Sequence, residues 1–226
     1  MKDIKKFYSI SIDGPSASGK STIAKILAKE INFIYIDTGA MYRAFTLACL
    51  NNSFDCKNEK LCCSLIGKIT IGFNDLNHVT LNGKDVENEI RSNEVANNVS
   101  YIASYKDIRL ELVRLQQALA KNNNVIMDGR DIGTYVLKDA DVKFYQIADI
   151  NERAKRRYLE NITKGINSTY EECYENISKR DYIDSHRSFC PLTPADDSIE
   201  INTTNMSIWE VSRLMLSILK DRRIIK

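Results

Sequence analysis

A glycine-rich run near the start of the chain restricts its fold more than any other feature of the sequence. From Gly14 to Ser21 it reads GPSASGKS and matches the pattern G-x-x-x-x-G-K-S/T. An alternating apolar stretch, residues 7–12, precedes it. After it, apolar residues recur at helical spacing in Ile23, Ile26, Leu27 and Ile31. The sequence therefore predicts a buried strand, a tight glycine turn and a helix, in that order.

A turn of this kind binds phosphate groups. Its backbone N–H groups and the positive end of the following helix form a cradle for nucleotide phosphates. We expect Lys20 to reach the β- and γ-phosphates and the Ser21 hydroxyl to ligate Mg²⁺. The alternative is a glycine-rich turn that binds no ligand. The predicted flanking strand and helix disfavour this alternative, because a plain turn does not require them. The predicted nucleotide-binding residues are Gly14, Pro15, Ser16, Ala17, Ser18, Gly19, Lys20, Ser21 and Thr22.

Composition limits the partners of the chain. Its 226 residues suffice for one α/β domain with an insertion. Lys and Arg number 32 against 30 for Asp and Glu, so no strong overall charge attracts nucleic acid or an anionic membrane, and neither is expected as a partner. No signal peptide opens the chain, and no apolar run approaches the roughly 20 residues that span a bilayer. We therefore expect a cytoplasmic protein.

The cysteines do not suggest a metal site or a disulfide framework. The chain has six cysteines and two histidines, and no two cysteines form a C-x-x-C pair. Reduced thiols in a reducing compartment are the better interpretation.

Strands and helices alternate along most of the chain. Strands are predicted at residues 33–36, 125–127, 142–147 and 198–201, and a helix at about residues 40–50. A longer helix, introduced by a capping box from Ser104 to Asp107, carries Ile108, Leu112, Leu115 and Leu119 on one face. Ser207 and Glu210 cap a final helix whose predicted buried stripe is Val211, Leu214, Met215 and Ile218. This alternation predicts an α/β fold with a parallel sheet core flanked by helices.

Residues from about 52 to 100 interrupt this rhythm. Ile69, Ile71 and Phe73 alternate with polar or small residues, a second short run follows at residues 78–81, and Asn82-Gly83 is a hairpin signal. The segment is predicted to be a small antiparallel insertion.

Arginines follow the predicted strands. The chain has no N-K-x-D segment, which disfavours a GTPase. Arg43 comes shortly after the second strand, and Arg130 and Asp131 come directly after the third. Ligands of open α/β sheets bind at the carboxyl ends of strands, so these turns should face the same crevice as the glycine-rich turn.

A further basic cluster follows the strand at residues 142–147. Arg153, Arg156 and Arg157 have the spacing of one helical face, with Lys155 beside them. One interpretation is a solvated basic face paired with Glu152 and Glu160. The other is a mobile helix that closes over phosphates, because phosphoryl transfer depends mainly on positioning and on neutralising charge.

Several segments together resemble bacterial cytidylate kinases. They are DGPSASGKST at residues 13–22, DTGAMYR at 37–43, DGRDIGT at 128–134 and RDxxDxxR at 180–187, with further similarity at residues 89–100. The resemblance implies a P-loop nucleoside monophosphate kinase fold in a single domain, residues 1–226. It further implies a monophosphate-binding insertion at about 52–100 and a helical lid at about 150–166. The implied reaction transfers the γ-phosphoryl group of Mg·ATP to CMP or dCMP, and a monomer is expected.

The resemblance also implies roles for individual residues. Cytosine offers an amine donor, a carbonyl and a ring nitrogen, which suit a carboxylate and an arginine. The residues implied to read its edge are Ser100, Arg109 and Asp131. Those implied to hold the pentose are Arg180 and Asp184, and those implied to hold the monophosphate are Thr38, Arg43, Arg130 and Arg187. Asp128 is implied to act on Mg²⁺ through water. The implied catalytic residues are Lys20, Arg130, Arg153 and Arg157.

Other interpretations of these residues stay open. By itself Asp131 could be a helix N-terminal carboxylate, and Arg109 a partly exposed helix arginine. Arg180, Asp184 and Arg187 could form an ion-pair ladder on one helix. Thr38 stands where many members of the family carry Ser, and Tyr182-Ile183 is less charged than is usual there. His186 is interpreted as structural, because transfer between phosphates needs no strong base.

Two other functions are compatible with the sequence. One is a P-loop kinase for a different small acceptor, such as another nucleotide or a coenzyme precursor. The other is a nucleotide-binding regulatory module without turnover.

Overall fold

Strands and helices alternate through most of the structure, a computed structural model that describes residues 7–225. Residues 1–6, where the absence of a signal peptide was expected, lie outside it. The strands are β1 (Ser9–Asp13), β2 (Ile34–Asp37), β3 (Ile71–Phe73), β4 (Val79–Leu81), β5 (Lys84–Asp85), β6 (Val125–Gly129), β7 (Val142–Ile147) and β8 (Ile199–Asn202). The α-helices are α1 (Lys20–Ile31), α2 (Thr38–Asn51), α3 (Glu59–Cys63), α4 (Asn93–Ile102), α5 (Lys106–Ala120), α6 (Ile150–Thr163), α7 (Tyr170–His186) and α8 (Ile208–Asp221).

The central sheet has five parallel strands in the order β2-β6-β1-β7-β8. On one face Ile12 and Phe144 pack with α1 and α8, and on the other Met127 packs with Val113 of α5. Because both faces are covered, the strands are buried almost throughout. The predicted parallel sheet flanked by helices is confirmed. Its order places the ends of β1, β2 and β6 side by side.

The predicted antiparallel insertion is confirmed as the sheet β3-β4-β5. Its hairpin turns at Asn82 and Gly83, whose φ angles of 52° and 79° are those of a left-handed turn. The insertion also contains α3, a 3-10 turn at Glu89–Arg91 and the start of α4, which the sequence did not predict. It packs on α2 through an apolar cluster that includes Phe45 and Val79.

Helix ends show where local patterns succeed and fail. The capping box of Ser207 and Glu210 is present at α8. The one predicted from Ser104 is wrong: α5 starts at Lys106, and the Ser104 hydroxyl instead donates to the carbonyl of Tyr101 at 2.6 Å. Ser104 lies just after α4, so its side chain bonds back to that helix. The prediction that Leu214 belongs to the buried stripe of α8 is also wrong, because its side chain is 39% exposed.

None of the helices in residues 7–225 is long and apolar enough to cross a membrane. All six cysteines are free thiols, and Cys49, Cys56 and Cys62 are buried in the apolar cluster against α2.

Candidate active site

A cleft of about 1400 Å³ opens at the carboxyl ends of the central strands. It contains most of the side chains that the sequence predicted. Those that line it are Ser16, Ala17, Ser18, Gly19, Lys20, Ser21, Thr22, Thr38, Arg43, Ser100, Arg109, Asp128, Arg130, Asp131, Arg157, Arg180, Asp184 and Arg187. Gly14, Pro15 and Arg153 do not line it.

The glycine-rich turn, hereafter the P-loop (residues 14–21), is shaped by its contact with β7. Gly14 has a φ of 148°, and a β-carbon there would lie 2.0 Å from the carbonyl oxygen of Gln146. Any side chain at this position would therefore displace the strand. Further along the P-loop the side-chain amide of Gln146 donates to the carbonyl of Ser18, and Gly19 starts α1 with a φ of 93°.

Lys20 lies within the P-loop. Its ammonium donates to the carbonyl of Pro15 at 2.7 Å and to the Ser18 hydroxyl at 3.2 Å. Burial, and then the charge of Arg130, lower the pKa of Lys20 to about 7. An arriving phosphate would oppose both effects, so anion binding and protonation of Lys20 favour each other.

Asp128 joins the P-loop helix to β2. Its carboxylate accepts the hydroxyl of Ser21 at 2.7 Å and the phenol of Tyr35 at 2.7 Å. Its backbone carbonyl accepts the Thr38 hydroxyl at 2.6 Å. Burial and the neighbouring Asp37 raise the pKa of Asp128 above its ordinary value. A nearby cation would be stabilised by this carboxylate and would lower its pKa again.

A buried ion pair lies at the other end of the cleft. Arg109 is 1% exposed and donates to the carboxylate of Asp131 and, at 2.9 Å, to the carbonyl of Ala103. Arg187 approaches the other oxygen of Asp131 at 3.3 Å. Burial by itself would lower the pKa of Arg109, but Tyr42 and Asp131 raise it above its ordinary value. Arg109 is therefore not a partly exposed helix arginine. Asp131 precedes the short π-helical turn Ile132–Val136, but its carboxylate makes no cap hydrogen bond there.

Arg43, Arg130, Arg157 and Arg180, hereafter the arginine cluster, converge on the middle of the cleft. Burial, followed by the charge of Arg130, lowers the pKa of Arg180 to about 10, and Arg157 and Arg43 add to the effect. Within the described residues, the buried Nε atoms of Arg43, Arg157 and Arg180 have no hydrogen-bond partner. Mutual repulsion and unused donors together are typical of an anion site.

Carboxylates hold parts of this cluster in place. Asp184 of α7 accepts from Arg130 at 2.8 Å, so it bonds across the cleft rather than along its own helix. Burial would raise the pKa of Asp184, but Arg130, Arg180 and Arg187 lower it below its ordinary value. Asp37 pairs with Arg43 at 3.0 Å and with Arg91 at 3.2 Å.

The basic residues of α6 do not act as one face. Arg153 is buried and bonds the carbonyl groups of Ala148 and Ser16 and the carboxylate of Asp181. Arg156 bonds the carbonyl of Thr203 at 2.7 Å, and only Arg157 joins the arginine cluster. Arg153 is thus not brought together with the other predicted catalytic residues, and its catalytic role stays a prediction.

Sequence reasoning assigned no role to Gln146 and Arg91, which line the cleft, or to Asp181, which bonds the backbone of Ser16. Each acts on a residue far away in the chain, so no local spacing could have revealed it. His186, interpreted as structural, lies exposed and stacked on Tyr182.

Solved structures share this architecture at low sequence identity. An uncharacterised protein from Eubacterium ventriosum ATCC 27560 aligns with a TM-score of 0.51 at 12% identity, over 94% of this chain and 98% of that one. A shikimate kinase from Acinetobacter baumannii in complex with shikimate aligns with a TM-score of 0.50 at 11% identity, over 98% of this chain and 97% of that one. These similarities support the fold alone.

Sequence similarity is more specific. The family model for cytidylate kinase matches residues 10–221. A cytidylate kinase of Bacillus cereus (strain B4264) is 49% identical over 216 residues, covering 94% of this chain and 96% of the relative. One of Bacillus thuringiensis (strain Al Hakam) is 48% identical over the same length. With its P-loop, arginine cluster and buried Arg109–Asp131 pair in one cleft, this chain belongs to the cytidylate kinase family.

Proposed function

We propose that this protein transfers the γ-phosphoryl group of Mg·ATP to CMP or dCMP, giving ADP and CDP or dCDP. The observation that carries the proposal is a continuous path of charged groups along the cleft. Lys20 lies close enough to Arg130 for repulsion to lower the pKa of Lys20. Asp184 bonds Arg130 and is stabilised by the charge of Arg187, which in turn pairs with Asp131. A nucleoside monophosphate laid along this path would meet cations at its phosphate and a buried polar pair at its base.

The acceptor phosphate would bind to Arg43 and Arg130 of the arginine cluster and to Arg187 beside them. The unused Nε donor of Arg43 is suited to phosphate oxygens, which accept charged hydrogen bonds. Thr38 belongs to the same proposed phosphate site. Ser100 and the Arg109–Asp131 pair would face the cytosine edge, and Asp184 with Arg180 would hold the pentose. The insertion that carries Ser100 would serve as the monophosphate-binding part.

The donor phosphates would bind to the P-loop. Mg²⁺ commonly keeps several water ligands and takes one or two carboxylates together with substrate phosphates. The bonded Ser21 hydroxyl and Asp128 carboxylate fit that need, and no cluster of three or more His, Cys, Asp or Glu in residues 7–225 could hold an ion without phosphate help. Ser21 would contact the ion, and Asp128 would act through water. The ion would supply charge neutralisation between the donor phosphates.

Catalysis would consist of alignment and charge neutralisation. In-line transfer between phosphates leaves little covalent chemistry for side chains. Lys20, Arg130 and Arg157 would stabilise negative charge on the transferring group, and α6 would act as a lid that excludes water. We further propose a monomer that acts in the cytoplasm.

A coupled assay of ADP release tests the function. Wild-type protein with Mg·ATP should turn over CMP and dCMP much faster than UMP, AMP or GMP. Equal rates with other monophosphates would indicate a kinase for another acceptor. ATP binding with no ADP release in the presence of any of these nucleotides would indicate a regulatory module instead. Omission of Mg²⁺, with chelator added, should abolish the activity.

A further inference from the structure

Asp181 links three parts of the molecule that are distant in the chain. It lies on α7, next to Arg180, and one of its carboxylate oxygens accepts the backbone N–H of Ser16 in the P-loop at 2.9 Å. Its other oxygen accepts a hydrogen bond from the guanidinium of Arg153 on α6. A single side chain therefore connects the P-loop, α6 and α7.

Arg153 completes a closed ring of hydrogen bonds. The same guanidinium nitrogen that bonds Asp181 donates to the carbonyl of Ser16 at 3.0 Å. Both backbone polar groups of Ser16 are thus bound by the Asp181–Arg153 pair. The Nε of Arg153 donates to the carbonyl of Ala148 at 2.9 Å, which anchors the guanidinium to the start of α6.

The P-loop needs such support at this point. Ala17, the next residue, has a left-handed φ of 58°, a conformation that residues with a β-carbon rarely adopt. Strained backbone of this kind persists where its surroundings fix it. The residues after Ala17 are the ones whose N–H groups would surround the donor phosphates, so the conformation of the P-loop tip decides where those groups point.

We propose that Asp181 and Arg153 form a clamp that holds the tip of the P-loop in its phosphate-binding conformation. In this assignment, which rests on the proposed function, both are positioning residues for the donor nucleotide. Arg153 acts through Ser16 and does not contact the transferring phosphoryl group. The clamp also makes the P-loop conformation depend on how α6 and α7 pack, and thereby couples the proposed lid to donor binding.

The clamp and a direct catalytic role for Arg153 predict opposite results for Asp181→Asn. If Arg153 were a phosphate ligand restrained by Asp181, removing the carboxylate charge would free it and strengthen donor binding. If the pair is a clamp, Asp181→Asn and Arg153→Ala both release Ser16 and both weaken donor binding. Arg153→Lys should behave like Arg153→Ala, because an ammonium cannot reproduce the forked contacts of a guanidinium.

The test measures binding of a non-hydrolysable ATP analogue with Mg²⁺, and separately binding of CMP, to folded variants checked by circular dichroism. We expect each single variant to raise the dissociation constant for the analogue about tenfold or more and to change that for CMP less than about twofold. The double variant Asp181→Asn/Arg153→Ala should bind the analogue no more weakly than the weaker-binding single variant. The effects of the two substitutions should not add, because the two residues act as a unit. Glu171→Gln removes an exposed carboxylate from the same helix and should bind like wild type.

Two outcomes would overturn the clamp. One is binding of the analogue by Asp181→Asn that is equal to or tighter than wild type. The other is an Arg153→Lys variant that binds the analogue like wild type. These binding measurements do not depend on turnover, so failure of the proposed CMP kinase activity would be seen separately, as absence of ADP release from wild type.

Discussion

At the scale of single residues, the sequence predicted which side chains lie in the cleft but not which residues they pair with. The motifs containing Lys20, Arg130 and Asp131 predicted side chains in one crevice, and the cleft contains all of them. The ion-pair partners of Arg130 and Asp131 lie far away in the chain: Arg130 meets Asp184, and Asp131 meets Arg109. Such contacts depend on how helices pack, which local spacing does not encode.

Asp131→Asn tests reading of the base. UMP presents a carbonyl where cytosine has an amine, so it would face the wild-type carboxylate acceptor to acceptor. We expect wild type to prefer CMP over UMP by at least about tenfold in specificity constant, since an unpaired buried polar group costs about 1–3 kcal/mol. The amide of Asn offers a donor, so the CMP to UMP ratio should fall by about tenfold. Steady-state kinetics with both nucleotides measure it.

The exposed Asp139, a few residues further on, provides the matched control. Asp139→Asn should keep the wild-type ratio. Because Asp131→Asn leaves Arg109 and Arg187 without their buried counter-charge, its folding must be confirmed by thermal unfolding first. A folded Asp131→Asn protein with an unchanged CMP to UMP ratio would show that Asp131 does not read the base.

At the scale of elements, most predictions that rested on local patterns of the sequence were correct, whereas those patterns did not reveal the contacts between elements. The strand at residues 142–147 was predicted with the observed ends of β7, and the capping box of α8 is present. The helical spacing on α6 was also correct, yet its arginines turn to different neighbours. Arg153 and Arg156 contact the P-loop, whereas Arg157 joins the arginine cluster and pairs loosely with Glu160 at 3.6 Å.

Arg157→Ala therefore tests α6 as a lid. If Arg157 neutralises charge on the transferring group, its removal should lower kcat by about a hundredfold or more, because that interaction would be made mainly in the transition state. The KM for CMP should change less than about threefold. Lys155→Ala removes a like charge from the exposed side of α6 and should leave both constants unchanged. Equal kcat in the two variants would assign Arg157 to a solvated face.

At the scale of the whole molecule, the alternation of strands and helices predicted the sheet, and its interruption predicted the insertion. What the sequence could not give is the balance of charge in the folded interior. Asp13 illustrates this, because it is the last residue of β1 and accepts hydrogen bonds from the backbone N–H groups of Ile132 and Gly133 at 2.9 and 2.7 Å. Those bonds tie the P-loop strand to the turn that carries Arg130 and Asp131.

The buried Asp13 should make global stability depend on pH. Burial, the largest effect, raises the pKa of Asp13 to about 7. The charge of Asp131 also raises this pKa, whereas the two N–H hydrogen bonds and the charge of Lys20 oppose the rise. The folded state then keeps a proton that the unfolded state releases, so this group's contribution to stability falls as pH rises from about 4 to about 7. Each unit of pKa corresponds to about 1.4 kcal/mol.

Urea unfolding of wild type and Asp13→Asn at pH 5 and pH 8 isolates the effect. The free energy of unfolding of wild type, relative to that of the variant, should be lower at pH 8 than at pH 5. A difference between the two proteins that does not vary with pH would show that Asp13 stays ionised in the folded state across this range.

The arginine cluster also affects how this protein should be handled. Its guanidinium groups repel one another and keep unused donors, so any small tetrahedral dianion that reaches them relieves that repulsion. Under the proposed function, sulfate or inorganic phosphate in a buffer should therefore compete with the nucleotide for the same groups. A zwitterionic buffer with chloride as the counter-ion leaves the cluster to the nucleotide, which makes solvent composition part of every kinetic comparison described above.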